Sequence, residues 1–385
     1  MKQIVCLLSG VLIAVSVFAQ SGSKWDFSGY TQGNPVFINA DFPAPQGEVN
    51  WWEYRVQSRL NIRWAPIDNF QFHAQMRLRF FAGDLVKEIP NYAGGIDSDD
   101  GLVKLSFLVA DRKSWLLHYQ ADRLYAQWNK NDWDIRVGRQ RVNWGISMIT
   151  NPNDLFNIYS FYDFDYRERP GSDAIRIQRH FGFSERLELA VSPASDIRQS
   201  IAALLYAFHW QDYDFQLISG YYRNRLAIGG GWAGNLKTAG FKGELMYFRD
   251  IEENGGKRTS NFVGLLAFDY MFPSGLFVVS EFLFNEKGGR DAILLLAESL
   301  SPDNPSFSKY QKTLQFSYPI HPLLDAVFAT IWYPDDRSFF LSPGLNWSVI
   351  ENLDAQLVGQ FFAGGSNSTL GNAANLVTVS VRYSY

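Results

Sequence analysis

Two consecutive segments of the chain, 52–64 and 70–80, alternate apolar and polar residues with a period of two. In the first segment, one alternate set is mostly apolar and reads Trp52, Tyr54, Val56, Ser58, Leu60, Ile62 and Trp64. The intervening set is polar and reads Glu53, Arg55, Gln57, Arg59, Asn61 and Arg63. Because successive side chains of a β-strand point to opposite faces, the pattern predicts strands with one apolar and one polar face. Residues 65–69 predict the turn of a hairpin.

The polar faces of the two strands are rich in arginine. In the second segment the apolar set reads Phe70, Phe72, Ala74, Met76, Leu78 and Phe80. The polar set reads Gln71, His73, Gln75, Arg77 and Arg79. Five arginines on two adjacent strands are unusual on an ordinary surface and are typical of the wall of a water-filled pore. The pattern therefore favours an all-β fold, a transmembrane antiparallel β-barrel, over a soluble secreted β-protein.

Residues 1–19 predict an export signal. Lys2 supplies the positive charge, and the apolar stretch 5–18 is too short to span a bilayer. Small residues at 17 and 19 place cleavage before Gln20; a buried N-terminal helix or an anchor is the alternative. Cys6 is the only cysteine and lies inside the signal. The mature chain is therefore expected to hold no disulfide and no thiolate-bound metal.

Composition supports a barrel of the outer membrane. Aromatic residues make up 16% of the chain, and no run of about 18 apolar residues follows the signal. The formal charge of −4 becomes −5 when Lys2 is removed with the signal, which gives no reason to expect nucleic-acid binding.

Turn signals predict the number of strands. Short turns are predicted at 66–69, 129–132, 182–185, 211–212, 234–237, 273–275, 319–323 and 350–353. Longer links are predicted at 34–48, 83–113, 144–172, 193–199, 223–228, 250–260, 286–308, 333–337 and 364–371. Eight turns and nine loops make seventeen connections and therefore eighteen strands, with short periplasmic turns and long extracellular loops. Sixteen strands is the alternative, because Gly229–Gly231 is a weak strand by propensity. We expect residues 20–385 to form a single barrel domain.

The end of the chain repeats the alternation. Val377, Val379, Val381, Tyr383 and Tyr385 alternate with Thr378, Ser380, Arg382 and Ser384. This segment resembles the C-terminal strand that outer-membrane barrels present to the barrel assembly machinery, where Phe is the more common last residue.

The segment 144–172 is predicted to be a long loop that folds back into the barrel and narrows it. Opposed carboxylates and guanidiniums across a channel select small charged or polar solutes. The residues expected to shape the narrowest section are Arg139, Gln140, Asp154, Asp165, Arg167 and Glu168. The arginines expected to line the passage are Arg55, Arg59, Arg77, Arg79, Arg123, Arg136 and Arg176. A loop packed outside the barrel with solvated charges is the alternative, because burying ionic groups requires pairing.

Simple alternation conflicts with one part of this prediction. If Ile135 and Val137 face lipid, Arg139 and Arg141 should face lipid too, at a cost of about 2–4 kcal/mol near the midplane. A β-bulge at Gly138 would turn both arginines inward. Snorkelling of the arginines at the membrane rim is the alternative.

A family resemblance rests on about forty residues. Gly138-Arg139-Gln140, Trp144-Gly145, Asn151-Pro152 and Asp154 together resemble the central motif of porin-like outer-membrane families, including the alginate-export-type barrels of Gram-negative bacteria. The resemblance implies a channel. In the alginate-export type an arginine-rich pore conducts an acidic polysaccharide, so such a polysaccharide or oligosaccharide is the alternative cargo.

Enzymatic chemistry has weak support in the sequence. The five histidines, His73, His118, His180, His209 and His321, show no spacing typical of a catalytic or metal site. Gly229–Gly231 lacks the lysine of a phosphate-binding loop. Asp97-Ser98-Asp99-Asp100 is the one candidate for calcium, but it lacks EF-hand spacing and is better explained as an exposed acidic loop.

The sequence thus predicts an outer-membrane channel for small hydrophilic, preferably anionic solutes, with no cofactor and no metal. Expected partners are membrane lipids, lipopolysaccharide and the assembly machinery; a monomer and a trimer remain open. An outer-membrane enzyme or an adhesion barrel is a further alternative function.

Overall fold

A computed structural model describes residues 24–42, 47–99, 101–157, 171–182, 184–253, 257–288, 300–365, 368–371 and 373–385. The predicted export signal and its cleavage point lie outside the described residues. Among the described residues, no helix has the length and apolar character needed to cross a membrane.

Nineteen strands in the described residues join into one sheet. Their bounds are β1 Trp25–Phe42, β2 Gly47–Ile67, β3 Phe70–Gly83, β4 Ser106–Arg112, β5 Trp115–Lys130, β6 Trp133–Gln140, β7 Ser172–Phe181, β8 Glu185–Ser192, β9 Ile201–Trp210, β10 Tyr213–Tyr222, β11 Arg225–Leu236, β12 Ala239–Asp250, β13 Ser260–Met271, β14 Phe277–Asn285, β15 Tyr310–His321, β16 Leu324–Tyr333, β17 Ser338–Ile350, β18 Leu353–Ala363 and β19 Asn375–Ser384. Two short helices, Asp84–Glu88 and Tyr92–Ile96, lie between β3 and β4, and a 3₁₀ turn, Ile197–Gln199, precedes β9.

The sheet closes into an antiparallel barrel of eighteen wall strands, as predicted. β1 pairs with β2 on one edge and with β19 on the other, which closes the cylinder. β4 is not a further wall strand, because it shares one edge of β5 with β6. Residues 115–120 of β5 pair with β4, and residues 124–130 pair with β6, so β4 continues the line of β6.

The alternative of sixteen strands is wrong. Gly229–Gly231 lies inside β11, in which residues 225–234 pair with β10 and residues 225–236 pair with β12. At Gly231 the absence of a side chain allows the loop that follows β6 to pack closely against β11. A Cβ at Gly231 would lie 2.8 Å from Ile146 Cδ1 and 3.1 Å from Asn153 Nδ2, so the missing side chain makes room for the loop that follows β6.

All eight predicted short turns join consecutive strands. Two of the predicted long links, 34–48 and 83–113, include residues that form strands or helices. β1 continues to Phe42 rather than ending near Asn34, because Val36 and Ile38 are buried against residues of the first short helix and its neighbours. The link 83–113 contains the two helices and β4 rather than a simple loop.

The outward face of the barrel is apolar and carries aromatic residues at its ends. Leu217 in β10 has 57% of its surface exposed, and Trp52 near the long-loop end of β2 has 47% exposed. At the short-turn end Trp64 stacks on Trp25 and on Phe72, with ring centroids 5.2 Å apart in both pairs. This is the pattern of a membrane-facing wall with aromatic residues at the interfaces.

The last strand shows the predicted alternation. Val379, Val381 and Tyr383 are exposed on the outer face, whereas Thr378 and Ser380 are buried. Tyr385 exchanges two backbone hydrogen bonds with Gly29, at 2.8 and 2.9 Å, and so completes the seam with β1.

The outward face predicts a depth-dependent penalty for charge. Leu217→Arg, in the middle of β10, should lower the free energy of unfolding by about 2–4 kcal/mol, whereas Leu236→Arg, beside the turn after β11, should lower it by about 1 kcal/mol or less. Urea unfolding in lipid vesicles measures both. Equal losses at the two sites would contradict the assignment of this face to lipid.

Candidate pore constriction and ionic wall

The loop after β6 enters the barrel partway along the wall. β6 ends at Gln140 and β7 begins at Ser172, and these two residues pair with each other. The described part of the loop, 141–157, makes hydrogen bonds to β8, β10, β11, β12, β14 and β15. A segment that leaves β6 reaches these strands across the interior, so this part of the loop lies inside the barrel.

Trp144 fixes the start of the loop. Its indole Nε1 donates to Glu188 Oε1 at 2.8 Å, and its carbonyl oxygen accepts from Gln216 Nε2 at 2.7 Å. Phe156 packs edge-to-face on the indole, with ring centroids 5.1 Å apart. Trp144 is therefore held by two wall strands and by Phe156 of the same loop.

Two buried glutamates of the wall accept hydrogen bonds from the loop. Glu244 in β12 accepts from the backbone N–H groups of Ile146, Ser147 and Asn153 at 2.6, 2.7 and 2.9 Å. These bonds satisfy backbone donors of an irregular segment that would otherwise be buried without partners.

Glu281 in β14 repeats the arrangement. It accepts from Ser147 Oγ at 2.6 Å and from the N–H groups of Ile149 and Thr150 at 2.9 and 3.0 Å. Sequence reasoning missed Glu244 and Glu281. The available signal was a single glutamate on the inward parity of each strand. Around Glu281 the nearest neighbours of that parity are the apolar Val279 and Leu283, whereas around Glu244 they are Lys242 and Met246.

Arg139 is enclosed where β6 ends. Only 4% of its surface is exposed, and its guanidinium donates to Asp173 at 2.8 Å, to Asp99 at 2.8 Å and to the carbonyl oxygen of Val103 at 2.6 Å. Arg139 thus joins β6 and β7 to the segment that leads into β4.

The predicted β-bulge at Gly138 is wrong. Both ladders of β6 run through Gly138 without a register shift, opposite Tyr125 and Ala174. Gly138 has a φ of 120°, a conformation that favours glycine. The guanidinium of Arg139 forms ion pairs with Asp99 and Asp173, both at 2.8 Å.

The other predicted constriction residues are placed as follows. Gln140 is buried and donates to the carbonyl oxygen of Ala174 at 2.9 Å. Asp154 is fully buried, and its backbone N–H donates to the carbonyl oxygen of Asn151 at 3.2 Å. Asp165, Arg167 and Glu168 lie outside the described residues. The role of these residues in narrowing the channel stays a prediction.

Asp122 forms ion pairs with two of the arginines that were predicted to line the passage. Its carboxylate lies 2.5 Å from Arg59 Nη1 and 2.8 Å from Arg77 Nε. Asp122 occupies a bulge of β5, because Gln75 pairs with Arg123 whereas Met76 pairs with Ala121. The extra residue brings an aspartate to the inward face, and period-two reasoning had no means to find it.

Three more arginines pair with a carboxylate close to their own strand. Arg55 lies 2.6 Å from Glu53, Arg136 lies 3.1 Å from Asp134, and Arg176 lies 2.6 Å from Glu188. Arg79 contacts His118 Nδ1 at 3.1 Å and donates to Gln120 at 3.3 Å.

The register of β2, β3 and β5 stacks arginines on successive rungs of one wall. Phe81 lies opposite Arg55, Gln57 opposite Arg79, and Arg59 opposite Arg77. Gln75 then lies opposite Arg123, and His73 opposite Arg63. The structure therefore brings the arginines of these three strands together on one side of the barrel, away from the wall that binds the loop.

Segments from the long-loop end pack inside the barrel as well. Leu85 and Tyr92 of the two helices bury Val36 and Ile38, and the Tyr92 hydroxyl donates to Glu53. On the other side, Leu300 and Phe307 pack with Tyr333, Phe340 and Leu370. A cavity of about 280 Å³ lies near these segments, lined partly by Gln120, Asp122, Arg139, Asn157 and Tyr222.

The acidic segment 97–100 was expected to be an exposed loop rather than a calcium site. Its described aspartates form ion pairs, Asp97 with Lys104 and Asp99 with Arg139. Burial opposes ionisation of Asp99, but hydrogen bonds from Arg139 and from the N–H groups of Leu105 and Gly101 outweigh it and hold its pKa below the usual value. The pKa of Asp97 is likewise lowered, since bonds from Lys104, Ser106 and His118 outweigh burial. Asp100 lies outside the described residues, which contain no group of three side chains able to hold a metal ion.

The shared carboxylate predicts a loss of stability. Asp122→Asn should lower the free energy of unfolding by about 3 kcal/mol or more, because two buried guanidiniums lose their common charge partner. Urea unfolding measures the effect, with Asp132→Asn in the exposed turn after β5 as the control. A loss no larger than that of the control would contradict this account of the wall.

Solved structures of outer-membrane proteins share this fold. OccK7 (OpdD) of Pseudomonas aeruginosa matches with a TM-score of 0.60 and 11% identity over 94% of this chain and 99% of that chain. OccAB3 of Acinetobacter baumannii matches with a TM-score of 0.57 and 13% identity, over 94% and 99%. The outer membrane protein opdK of Pseudomonas aeruginosa matches with a TM-score of 0.57 and 8% identity, over 94% and 98%.

No protein-family model and no curated protein sequence matches the chain. The likeness is therefore one of fold, which agrees over nearly the full length of each structure compared. The chain has the eighteen-stranded barrel fold of the outer-membrane porins.

Proposed function

We propose that this chain is an outer-membrane channel through which small hydrophilic solutes, preferably anions, diffuse. The observation that carries the proposal is the division of the barrel interior into two sides. The loop 141–157 is hydrogen-bonded to β8, β10, β11, β12, β14 and β15. Arginines follow one another on β2, β3, β5, β6 and β7. The interior beside the arginines is the path that we assign to the solute.

Charge on the arginine wall supports the preference for anions. The described inward-facing residues of β2, β3, β5 and β6 include seven arginines, Arg55, Arg59, Arg63, Arg77, Arg79, Arg123 and Arg136. The acids beside them on the same strands are Glu53, Asp122 and Asp134. The excess of positive charge creates a potential that draws anions into the passage.

A small solute fits this interior better than a polymer. The interior is crossed by the loop, and two apolar clusters occupy part of its long-loop end, one around Leu85 and Tyr92 and one around Leu300 and Phe307. We infer diffusion without chemistry. His73 stacks on Tyr125, and His118 contacts Arg79 and Asp97, which are the contacts of wall residues.

Export and assembly belong to the same proposal. We infer that residues 1–19 direct the chain across the inner membrane and are then removed. The seam between β1 and β19, completed by Tyr385, is the feature that we assign to recognition by the barrel assembly machinery.

Conductance in planar bilayers tests the function. The purified barrel should conduct potassium chloride and show an anionic reversal potential in a salt gradient. Arg63→Glu and Arg123→Glu should each lower the anion-to-cation permeability ratio by about fivefold or more, because one unit charge some 4 Å away in water is worth about 1 kcal/mol and each reversal changes the wall by two. These two arginines are chosen because Arg59 and Arg77 bind Asp122 and their reversal would disturb the fold.

Arg112→Glu is the matched control, because Arg112 is exposed in the hairpin between β4 and β5. This reversal should leave the permeability ratio almost unchanged. A barrel that inserts but passes no current would refute the channel. Conduction that is indifferent to both wall substitutions would refute the assigned path.

A further inference from the structure

Glu244 and Glu281 differ from the other buried acids of the wall. Glu53, Asp122 and Glu188 each contact at least one arginine. Among the described residues, Glu244 and Glu281 form no salt bridge, and the donors that bind them belong to the loop. A single segment, 146–153, therefore supplies the partners of both.

The burial of these two carboxylates depends on where the loop lies. A buried carboxylate without a cation is costly unless hydrogen bonds replace those of water. In the docked state, five backbone N–H groups and one hydroxyl provide that replacement, and Ser147 contributes to both sites, with its N–H to Glu244 and its Oγ to Glu281. If the segment moves away, both carboxylates face the aqueous interior and are hydrated.

The two carboxylates thus have hydrogen-bond donors in both positions of the segment, from the loop when it is docked and from water when it is released. This is the condition for a segment with two stable positions. The docked position lies against β11, β12 and β14, where Asn153 Nδ2 also donates to the carbonyl oxygen of Gly230 at 2.9 Å. If residues 146–153 leave the wall formed by β11, β12 and β14, they move into the interior, towards the arginines on the other side of the barrel. A released loop would consequently obstruct the passage rather than widen it.

We propose that Glu244 and Glu281 form a carboxylate latch that holds residues 146–153 against one wall and keeps the passage beside the arginines open. This inference rests on the proposed channel function and adds a gating element to it. The two glutamates are positioning residues: they act on the solute only through the loop.

Glutamine is the sharpest substitution because it keeps the shape and changes the donors. Both oxygens of Glu244 accept from backbone N–H groups, and both oxygens of Glu281 accept from the loop. In Glu244→Gln or Glu281→Gln, one of these atoms becomes an NH₂ group that faces a donor. The latch loses at least one charge-assisted hydrogen bond and gains a donor–donor contact.

Two readouts on the full-length protein in lipid test the latch. Hydrogen exchange should show the amides of residues 146–153 exchanging roughly tenfold faster or more in either glutamine variant than in the wild type. Single-channel recordings in potassium chloride should show long openings of the wild type broken by frequent closures in the variants. Ser147→Ala, which removes one hydroxyl bond, should give a smaller change of the same kind.

Glu185→Gln is the control, because Glu185 is exposed at the start of β8 beside the turn. Heat-modifiable migration on gels confirms that each variant has folded as a barrel. Unchanged amide exchange in both glutamine variants would overturn the latch. Faster exchange with unaltered openings would also overturn it, since the loop would then move without controlling the passage.

The two proposals fail separately. A folded wild-type barrel without current would overturn the channel function, and with it the gating role of the latch. The exchange measurement would still decide whether the two glutamates hold the loop.

Discussion

The structure depends on a strand that faces lipid on one side and water on the other. Closure through β1 and β19 leaves the barrel without a free sheet edge at that seam, and the outward parity is apolar. The inward parity carries charge that lipid would not tolerate. Once the cylinder closes, the remaining problem is how to accommodate many ionic groups and an irregular loop inside it.

The interior solves that problem differently on its two sides. On the arginine side, guanidiniums share or adjoin acids of the wall, as Arg59 and Arg77 share Asp122. On the other side, wall glutamates take the place of water for the backbone of the loop. Glu188 connects the two schemes, since it accepts from both Arg176 and the indole of Trp144. The loop and the charged wall are thus parts of one hydrogen-bonded interior.

Much of the fold was predictable because its signals are local. Alternation fixes which face of β2, β3 and β19 is apolar, and turn residues fix the eighteen wall strands. Departures from regular geometry were not predictable. β5 has a bulge at Asp122 and β6 has none at Gly138. β4 was not recognised within a predicted loop, because it only extends the line of β6. The glycines of β11 indicated a weak strand, although they mark the place where the loop presses against the wall.

The inward parity of the arginines could be predicted from the sequence, whereas the acids that pair with them could not. A side chain on the inward parity can be read from its position, whereas the acid that it meets depends on register across two or three strands. Glu244 and Glu281 escaped notice because their partners are backbone N–H groups of a distant segment, which leave no trace in residue type. A single glutamate on the inward parity of a wall strand is a signal worth seeking in other barrels.

The proposed channel requires the arginine-bearing parity of β2 to line water and the alternate parity to contact lipid. Single cysteines at successive positions 60 to 63, tested in intact membranes with a hydrophilic maleimide, examine it most directly. The account predicts labelling of Asn61→Cys and Arg63→Cys and protection of Leu60→Cys and Ile62→Cys. Labelling of the apolar pair with protection of the polar pair would contradict it.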